Sequence, residues 1–272
     1  MKTGKQLIAE IDSYPVGKGC ITFWWLGQHS YVLKTARKII YLDPYLSPAP
    51  SRLLQSPLKP EEITNADIVT GSHDHSDHID HPVLPALMNA SPKCKLLVPK
   101  AAAAALRKDN IDMARVCTLD DGGVYDSDGV RITAVKAAHE FFDYDEKAGY
   151  PYLGFIIETD GVAVYHSGDT CNYEGLAAAL RQWDLTAAFL PINGRDAKRL
   201  RAGCIGNMTY QEAVDLAGTI TVGAVIPGHY GMFAMNTADP ALFADYLDAK
   251  YPERRSALPK FGEPVDISKT TD

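Results

Sequence analysis

Apolar residues in this chain come in short runs set between turn-forming residues, the pattern of strands rather than of long helices. Residues 21–26, 31–34 and 38–43 are rich in β-branched and aromatic side chains and predict three successive strands. Residues 44–60 carry five prolines and predict a loop. A buried strand is expected over 67–71, ending in a tight turn, then a helix near 82–89, a strand at 95–98 and an alanine-rich helix at 100–108. Further strand segments are expected at 115–125, 129–137, 152–159 and 162–167. Beyond Asp169 helices at 173–182, 209–219 and 239–250 alternate with apolar strands at 186–191 and 223–227. The second half therefore repeats the order of the first, strands followed by β/α units.

Nothing in 272 residues forces a division, and one domain over 1–272 is expected. Hydrophobic content of 46% suits a full core, and no apolar run approaches the length of a membrane span. Residues 1–19 contain Lys2 and Lys5 but no apolar stretch of a secretory signal. The five cysteines are scattered without a C-x-x-C pair, which points to a reducing, cytoplasmic setting. A net charge of −7 argues against nucleic acid as partner, since phosphate contacts need clustered Lys and Arg. A small anionic substrate is compatible with it, and so is a homo-oligomer.

The candidate chemistry lies on the loop after strand 67–71. His73-Asp74-His75-Ser76-Asp77-His78 places three imidazoles and two carboxylates in six residues of a chain with eight histidines. Neutral imidazole nitrogen and carboxylate oxygen are the ligands of zinc and its neighbours. The loop position lets these side chains fan into one space, so the cluster reads as a metal site. Asp43, His139, Asp169 and His229 each follow a β-like apolar run as well. Ligands from several strand ends converge at one rim, where α/β folds place their sites.

Asp43, His73-x-His75-x-Asp77-His78, His139, Ser167-Gly168-Asp169-Thr170 and Pro227-Gly228-His229 resemble, in order and across nearly the whole chain, the motifs of the metallo-β-lactamase superfamily. The resemblance implies a four-layer αββα sandwich, an α/β fold of two facing mixed sheets with helices outside. It further implies that His73, His75 and His139 hold one metal, that Asp77, His78 and His229 hold a second, and that Asp169 bridges them. Asp43 would then steady the histidine loop from behind. Trp24-Trp25-Leu26-Gly27, His166-Ser-Gly-Asp-Thr170, Asn193-Gly194-Arg195, Met208-Thr209 and Pro227-Gly-His-Tyr230 also resemble the L-ascorbate-6-phosphate lactonase branch. That branch has longer chains and no clear counterpart of His139.

Two such cations would acidify a shared water and polarise the substrate oxygen, which is metal-assisted hydrolysis. Asp77 would relay a proton to the leaving oxygen. Zn²⁺ or Mn²⁺ is expected, with Fe²⁺ less favoured because His75 stands where flavodiiron relatives carry a carboxylate. The activity expected first is a lactonase or esterase on a small, possibly phosphorylated, sugar-acid lactone. A phosphodiesterase for a small phosphodiester or cyclic nucleotide, and a non-catalytic metal-binding protein, are the alternatives.

Accessory residues carry two readings each. His166 reads as a core histidine or one supporting the ligands, His29 as a turn residue or a pocket residue, and His81 as a helix-start residue. Tyr230 is a proton donor to a carbonyl oxygen or a packed Tyr. Asn193 and the basic run 195–201, with Arg195 and Arg199, form a docking loop for a carboxylate or phosphate, or a solvated loop. The aromatic segment 140–152 is a lid or a hairpin tip packing on itself.

Overall fold

A computed structural model describes residues 1–269, so the last three residues of the expected 1–272 domain lie outside the described residues. The strands β1 (Cys20–Gly27), β2 (Ser30–Lys34), β3 (Ile39–Leu42), β4 (Ile68–Thr70), β5 (Lys95–Pro99) and β6 (Val116–Leu119) build one sheet. A second sheet holds β7 (Val124–Ser127), β8 (Val130–Lys136), β9 (Leu153–Thr159), β10 (Val162–His166), β11 (Leu185–Pro191), β12 (Val222–Gly228) and β13 (Arg255–Ser256). The last strand, β14 (Pro264–Ser268), returns to pair with β1.

Each sheet is antiparallel in one half and parallel in the other. In the first, β1, β2 and β3 are antiparallel neighbours and β3 to β6 run parallel. In the second, β7 to β10 are antiparallel and β10 to β13 parallel. The repeated order read from the sequence is thus two sheets of one plan. One consequence sets up the site. Within the first sheet β1, β3 and β4 share a direction, and within the second β8, β10 and β12 do.

Side chains of β1 alternate between two cores, as the pleat requires. Ile21, Phe23 and Trp25 enter the core between the sheets. Trp24 and Leu26 face the other way, toward α1 (Gly4–Ser13) and α2 (Leu84–Ala90), whose Leu7, Ile11, Leu84 and Leu87 are buried there. After α3 (Ala103–Leu106) and α4 (Leu176–Leu180) comes the short α5 (Ala197–Arg201), which buries nothing. The helices α6 (Tyr210–Thr219) and α7 (Pro240–Lys250) bury Val214, Leu216, Phe243 and Leu247 against the second sheet, beside β11 and β13. Helix α6 starts on a Thr209–Glu212 capping box and α7 on Asp239 followed by Pro240. The layers are helix, sheet, sheet, helix, the expected αββα sandwich.

Three differences from the sequence reading have physical causes. The stretch 115–125 is two strands, because the turn at Asp120–Gly123 carries the chain from the edge of one sheet to the edge of the other. Residues 4–13 are helical although too short to show a long apolar period; burial of Leu7, Ile8 and Ile11 stabilises them. The alanine run is one 3₁₀ turn and one α-turn rather than a helix over 100–108.

Phe189 of β11 joins the two sheets: its ring centroid lies 5.0 Å from Phe23 and 4.5 Å from Tyr31, both on the opposing sheet. Phe189→Ala should therefore cost about 3–5 kcal/mol. The check is urea denaturation, with a lower midpoint at unchanged slope; a wild-type midpoint would show that Phe189 does not join the layers.

Candidate metal centre

Five residues and the histidine loop, which meet at the rim, stand at or just beyond the carboxyl ends of the co-directional strands. Gln28 follows β1, Asp43 follows β3 and the histidine loop follows β4. His139, Asp169 and His229 follow β8, β10 and β12. After β4 the chain turns sharply: the amides of His78 and Ile79 both donate to the His75 carbonyl, at 3.0 and 2.8 Å. That turn brings the rings of His73 and His78 to 4.1 Å and those of His73 and His75 to 4.5 Å.

Asp43 is fully buried behind this loop. Its carboxylate accepts from the Ser72 amide (3.1 Å), the Ser72 hydroxyl, Thr70 Oγ1 (3.1 Å) and His78 Nδ1 (2.7 Å). The last bond fixes the tautomer of His78 and turns Nε2 toward the rim. His139 is oriented likewise by donating from Nδ1 to Gly206 O at 3.1 Å.

The remaining donor atoms fall into overlapping sets, each within 4.8 Å: His73, His75 and His139; His73, His78 and Asp169; Asp77, His78 and His229. Asp169 connects them. Its Oδ1 is 3.3 Å from His78 Nε2, and its Oδ2 lies 3.0 Å from His229 Nε2 and 3.7 Å from His139 Nε2. Asp77 Oδ2 stands 3.8 Å from His78 Nε2 and 3.7 Å from His229 Nε2.

The donor set fits divalent cations. His78 Nε2 and Asp169 Oδ1 are buried and face each other without a hydrogen bond, which leaves two converging lone-pair donors unsatisfied by the protein. Burial holds His73, His75 and His139 below the ordinary imidazole pKa, so they are neutral, ligand-ready bases at pH 7. Burial opposes the charge of Asp169, yet His229 and His78 hold its carboxyl well below the usual range. For His78 burial again works against charge, and Asp169 and Asp77 outweigh it, raising its pKa. The buried carboxylate thus demands positive charge at this point, which a cation would supply.

Beside the cluster opens a cavity of about 260 Å³, lined by His75, Asp77, His139, Asp169 and His229 together with 203–205 and Asn236. The structure does not bring every candidate to it. Arg195 is committed to Glu212 in a two-pronged ion pair of 2.6 and 2.7 Å and also donates to Asn207 O, so the docking role expected for it is corrected to a structural one. Arg199 holds Asp196 and the Asn193 carbonyl, at 2.6 and 2.7 Å. The Asn193 amide is taken up by Asn236 (2.7 Å) and Asn207 (3.1 Å), which corrects its substrate-binding role in the same way. The basic run is a short helix capped by Asp196 rather than an open loop. Tyr230 stacks on Trp25 at 4.7 Å within the inter-sheet core, so its packed reading replaces the catalytic one. Aromatics of the 140–152 segment pack on one another and on Tyr173; only Tyr152 reaches the ligands, 5.3 Å from His73 and 5.2 Å from His139.

His166 and His29 stack at 4.3 Å, fully buried, with His166 Nε2 donating to His29 O. They underlie the site without joining a ligand set. His81 is more than a helix-start residue: Asp109 and Asp74 grip its two ring nitrogens. Gln28 escaped the sequence reading altogether; its amide donates to Asp77 Oδ2 at 3.0 Å. The signal available for it was its place at the end of β1.

A family model described as a beta-lactamase superfamily domain matches residues 38–230. The chain belongs to the metallo-β-lactamase superfamily. Among curated relatives of this superfamily member, a UPF0173 metal-dependent hydrolase of Methanosarcina barkeri is 26% identical over 249 residues, covering 89% of this chain and 97% of the relative. Another, from Sulfolobus acidocaldarius, is 31% identical over 173 residues, 63% of this chain and 71% of its own. Of solved structures, the metallo hydrolase Igni18 from Ignicoccus hospitalis superposes with a TM-score of 0.74 at 22% identity, covering 92% of this chain and all (100%) of that one. An isothiocyanate hydrolase from Delia radicum gut bacteria gives 0.69 at 18% identity, covering 91% of this chain and 100% of that one. The protein is a metal-dependent hydrolase of the metallo-β-lactamase superfamily. These relatives do not support the ascorbate-phosphate lactonase branch. Among the described residues no helix is long and apolar enough to cross a membrane.

If Asp43 orients His78, Asp43→Asn should weaken metal binding about 10–100-fold while the fold survives. Isothermal titration with Zn²⁺, alongside circular dichroism, reads both. Undiminished affinity would remove Asp43 from the site.

Proposed function

We propose that this metallo-β-lactamase superfamily member uses two divalent cations to hydrolyse an ester or lactone bond of a small anionic molecule. The observation that carries the reading is Asp169, whose two oxygens face histidines of both ligand sets at 3.0–3.7 Å. In this reading His73, His75 and His139 would hold the first cation, Asp77, His78 and His229 would hold the second, and Asp169 would be available to both. Five imidazoles and two carboxylates suit Zn²⁺ and are compatible with Mn²⁺. When bound, the cations supply Lewis acidity that activates water and polarises the substrate carbonyl.

The protein's own groups do the rest. Asp77 is partly open to the cavity, and one oxygen accepts from Gln28. Its other oxygen takes a proton from the attacking water and returns it to the alkoxide oxygen released as the acyl C–O bond breaks. One water is consumed and a hydroxy acid, or an acid and an alcohol, leaves. The cavity of about 260 Å³ limits the reacting part to a small group. A second cavity of about 560 Å³ is lined by Asp196, Lys198, Arg199 and Met235. Lys198 supplies the positive charge for an anionic end in place of Arg195, since Arg199 is itself paired with Asp196. Scattered free cysteines support a reducing, cytoplasmic setting.

Two measurements test the reading. Asp169→Asn and His75→Ala should each lower kcat/KM for an activated ester by about 10³-fold or more, equivalent to about 4 kcal/mol of transition-state stabilisation. Activity that survives both changes would put catalysis elsewhere. Substrate class is read by assaying a lactone panel beside bis(p-nitrophenyl) phosphate with Zn²⁺ and Mn²⁺. The expected result is faster lactone turnover; preferential turnover of the phosphodiester would overturn the ester assignment.

A further inference from the structure

Gln28 stands at the end of β1 with no exposed surface, in a backbone conformation of φ +52°. That left-handed conformation is uncommon for a residue with a side chain. Two hydrogen bonds hold it: the Gln28 carbonyl accepts from Trp25 Nε1 at 3.0 Å and from the His229 amide at 2.9 Å. The side chain is therefore aimed by the backbone rather than by chance packing. Its amide nitrogen lies 3.0 Å from Asp77 Oδ2 and 3.3 Å from His229 Nε2, which are themselves 3.7 Å apart. Three donor atoms about 2.0–2.2 Å from one cation stand about 3–4 Å from each other. The Gln28 amide occupies such a corner.

At the other end of the amide, Oε1 is buried and has no hydrogen-bond partner. Asp77 and His229 turn lone pairs toward the same point, so a cation there would repel an N–H and attract a carbonyl oxygen. Half a turn about the Cγ–Cδ bond, with no backbone movement, exchanges the two ends of the amide. It gives up the hydrogen bond to Asp77, trades an unpartnered oxygen for an unpartnered NH₂ and gains an ion–dipole contact.

We propose that Gln28 Oε1 is an additional ligand of the cation held by Asp77, His78 and His229. The inference rests on the two-cation reading and deepens it. The second site then offers oxygens from Asp77, Asp169 and Gln28 with nitrogens from His78 and His229. The first offers three imidazoles and Asp169. The two sites consequently differ in hardness: the first favours Zn²⁺, and the oxygen-rich second leans toward Mn²⁺.

The test is a titration of the full chain with Co²⁺, read by stoichiometry and by visible absorption, whose intensity rises severalfold when coordination falls from six to five. Wild type should bind two equivalents. Gln28→Leu should keep the first site unchanged, bind the second ion about 10–100-fold more weakly, and show the stronger absorption for that ion. Gln28→Glu, which retains an oxygen donor, should bind the second ion at least as tightly as wild type and guards against a folding defect in the leucine variant. Two equivalents bound by Gln28→Leu with the wild-type spectrum would overturn the proposal while leaving the two-cation reading intact. A weaker second site with an unchanged spectrum would also overturn it, since Gln28 would then act only through its bond to Asp77. Fewer than two equivalents in wild type would defeat the two-cation reading and this inference together.

Discussion

A carboxylate buried among imidazoles from both sheets is the constraint on which this molecule turns. Asp169 arrives on the second sheet, His78 on the first, and they meet 3.3 Å apart out of reach of water. An isolated carboxylate in that position would be too costly to ionise. Among the described residues neither Lys nor Arg pairs with it, so the neutralising charge must be an imidazolium or a bound cation. The two rims can hold this arrangement only if the sheets pack in one register. The aromatic contact of Phe189 with Phe23 and Tyr31 supplies part of that registration from the core.

The same constraint accounts for backbone conformations that would otherwise be unfavourable. Gln28, Asp43 and His229 all have positive φ, and all three are strand-end residues of the site. Such geometry persists where surrounding hydrogen bonds over-determine it. Gly168, just before Asp169, shows the tightness from the other side: a Cβ there would stand 2.6 Å from the Ser72 Cβ and from the Leu153 carbonyl. The loop carrying Asp169 can approach the histidine loop only because that position is bare. Around it the supporting layer is nearly all polar and nearly all buried, with Asp43, Ser72, His166 and His29 stacked behind the ligands. Such a layer holds donors in place at the expense of their freedom, which is what a site for a small cation requires.

Legibility from sequence followed the range of the interactions. The histidine loop was readable because its candidate ligands are local, and the strand-end positions of Asp43, His139, Asp169 and His229 were readable because strands announce themselves by composition. The ion pair of Arg195 was not legible because its partner, Glu212, lies on α6, 17 positions away, and enters only through the capping of that helix. Tyr230 follows a ligand directly, yet its ring turns onto Trp25, a contact no local pattern encodes. Gln28 drew no attention in the sequence; its importance comes from Asp77, 49 positions away. The break of 115–125 into strands of separate sheets was invisible for a similar reason, since a single apolar stretch does not say which edge each half will join.

What the chain determined by itself was the inventory: which residues can ligate, on which strand ends they sit, and that two β-rich halves must cover each other's apolar faces. These follow from side-chain chemistry and from periodicity, both short-range properties. What only the tertiary structure decided was commitment. It selected which charged groups face the cavity and which are consumed by partners, gave Asp169 histidines from both sets, and left Gln28 Oε1 without a companion. Those outcomes depend on distances between segments far apart in the chain, and such distances arise only when the two sheets close on one another.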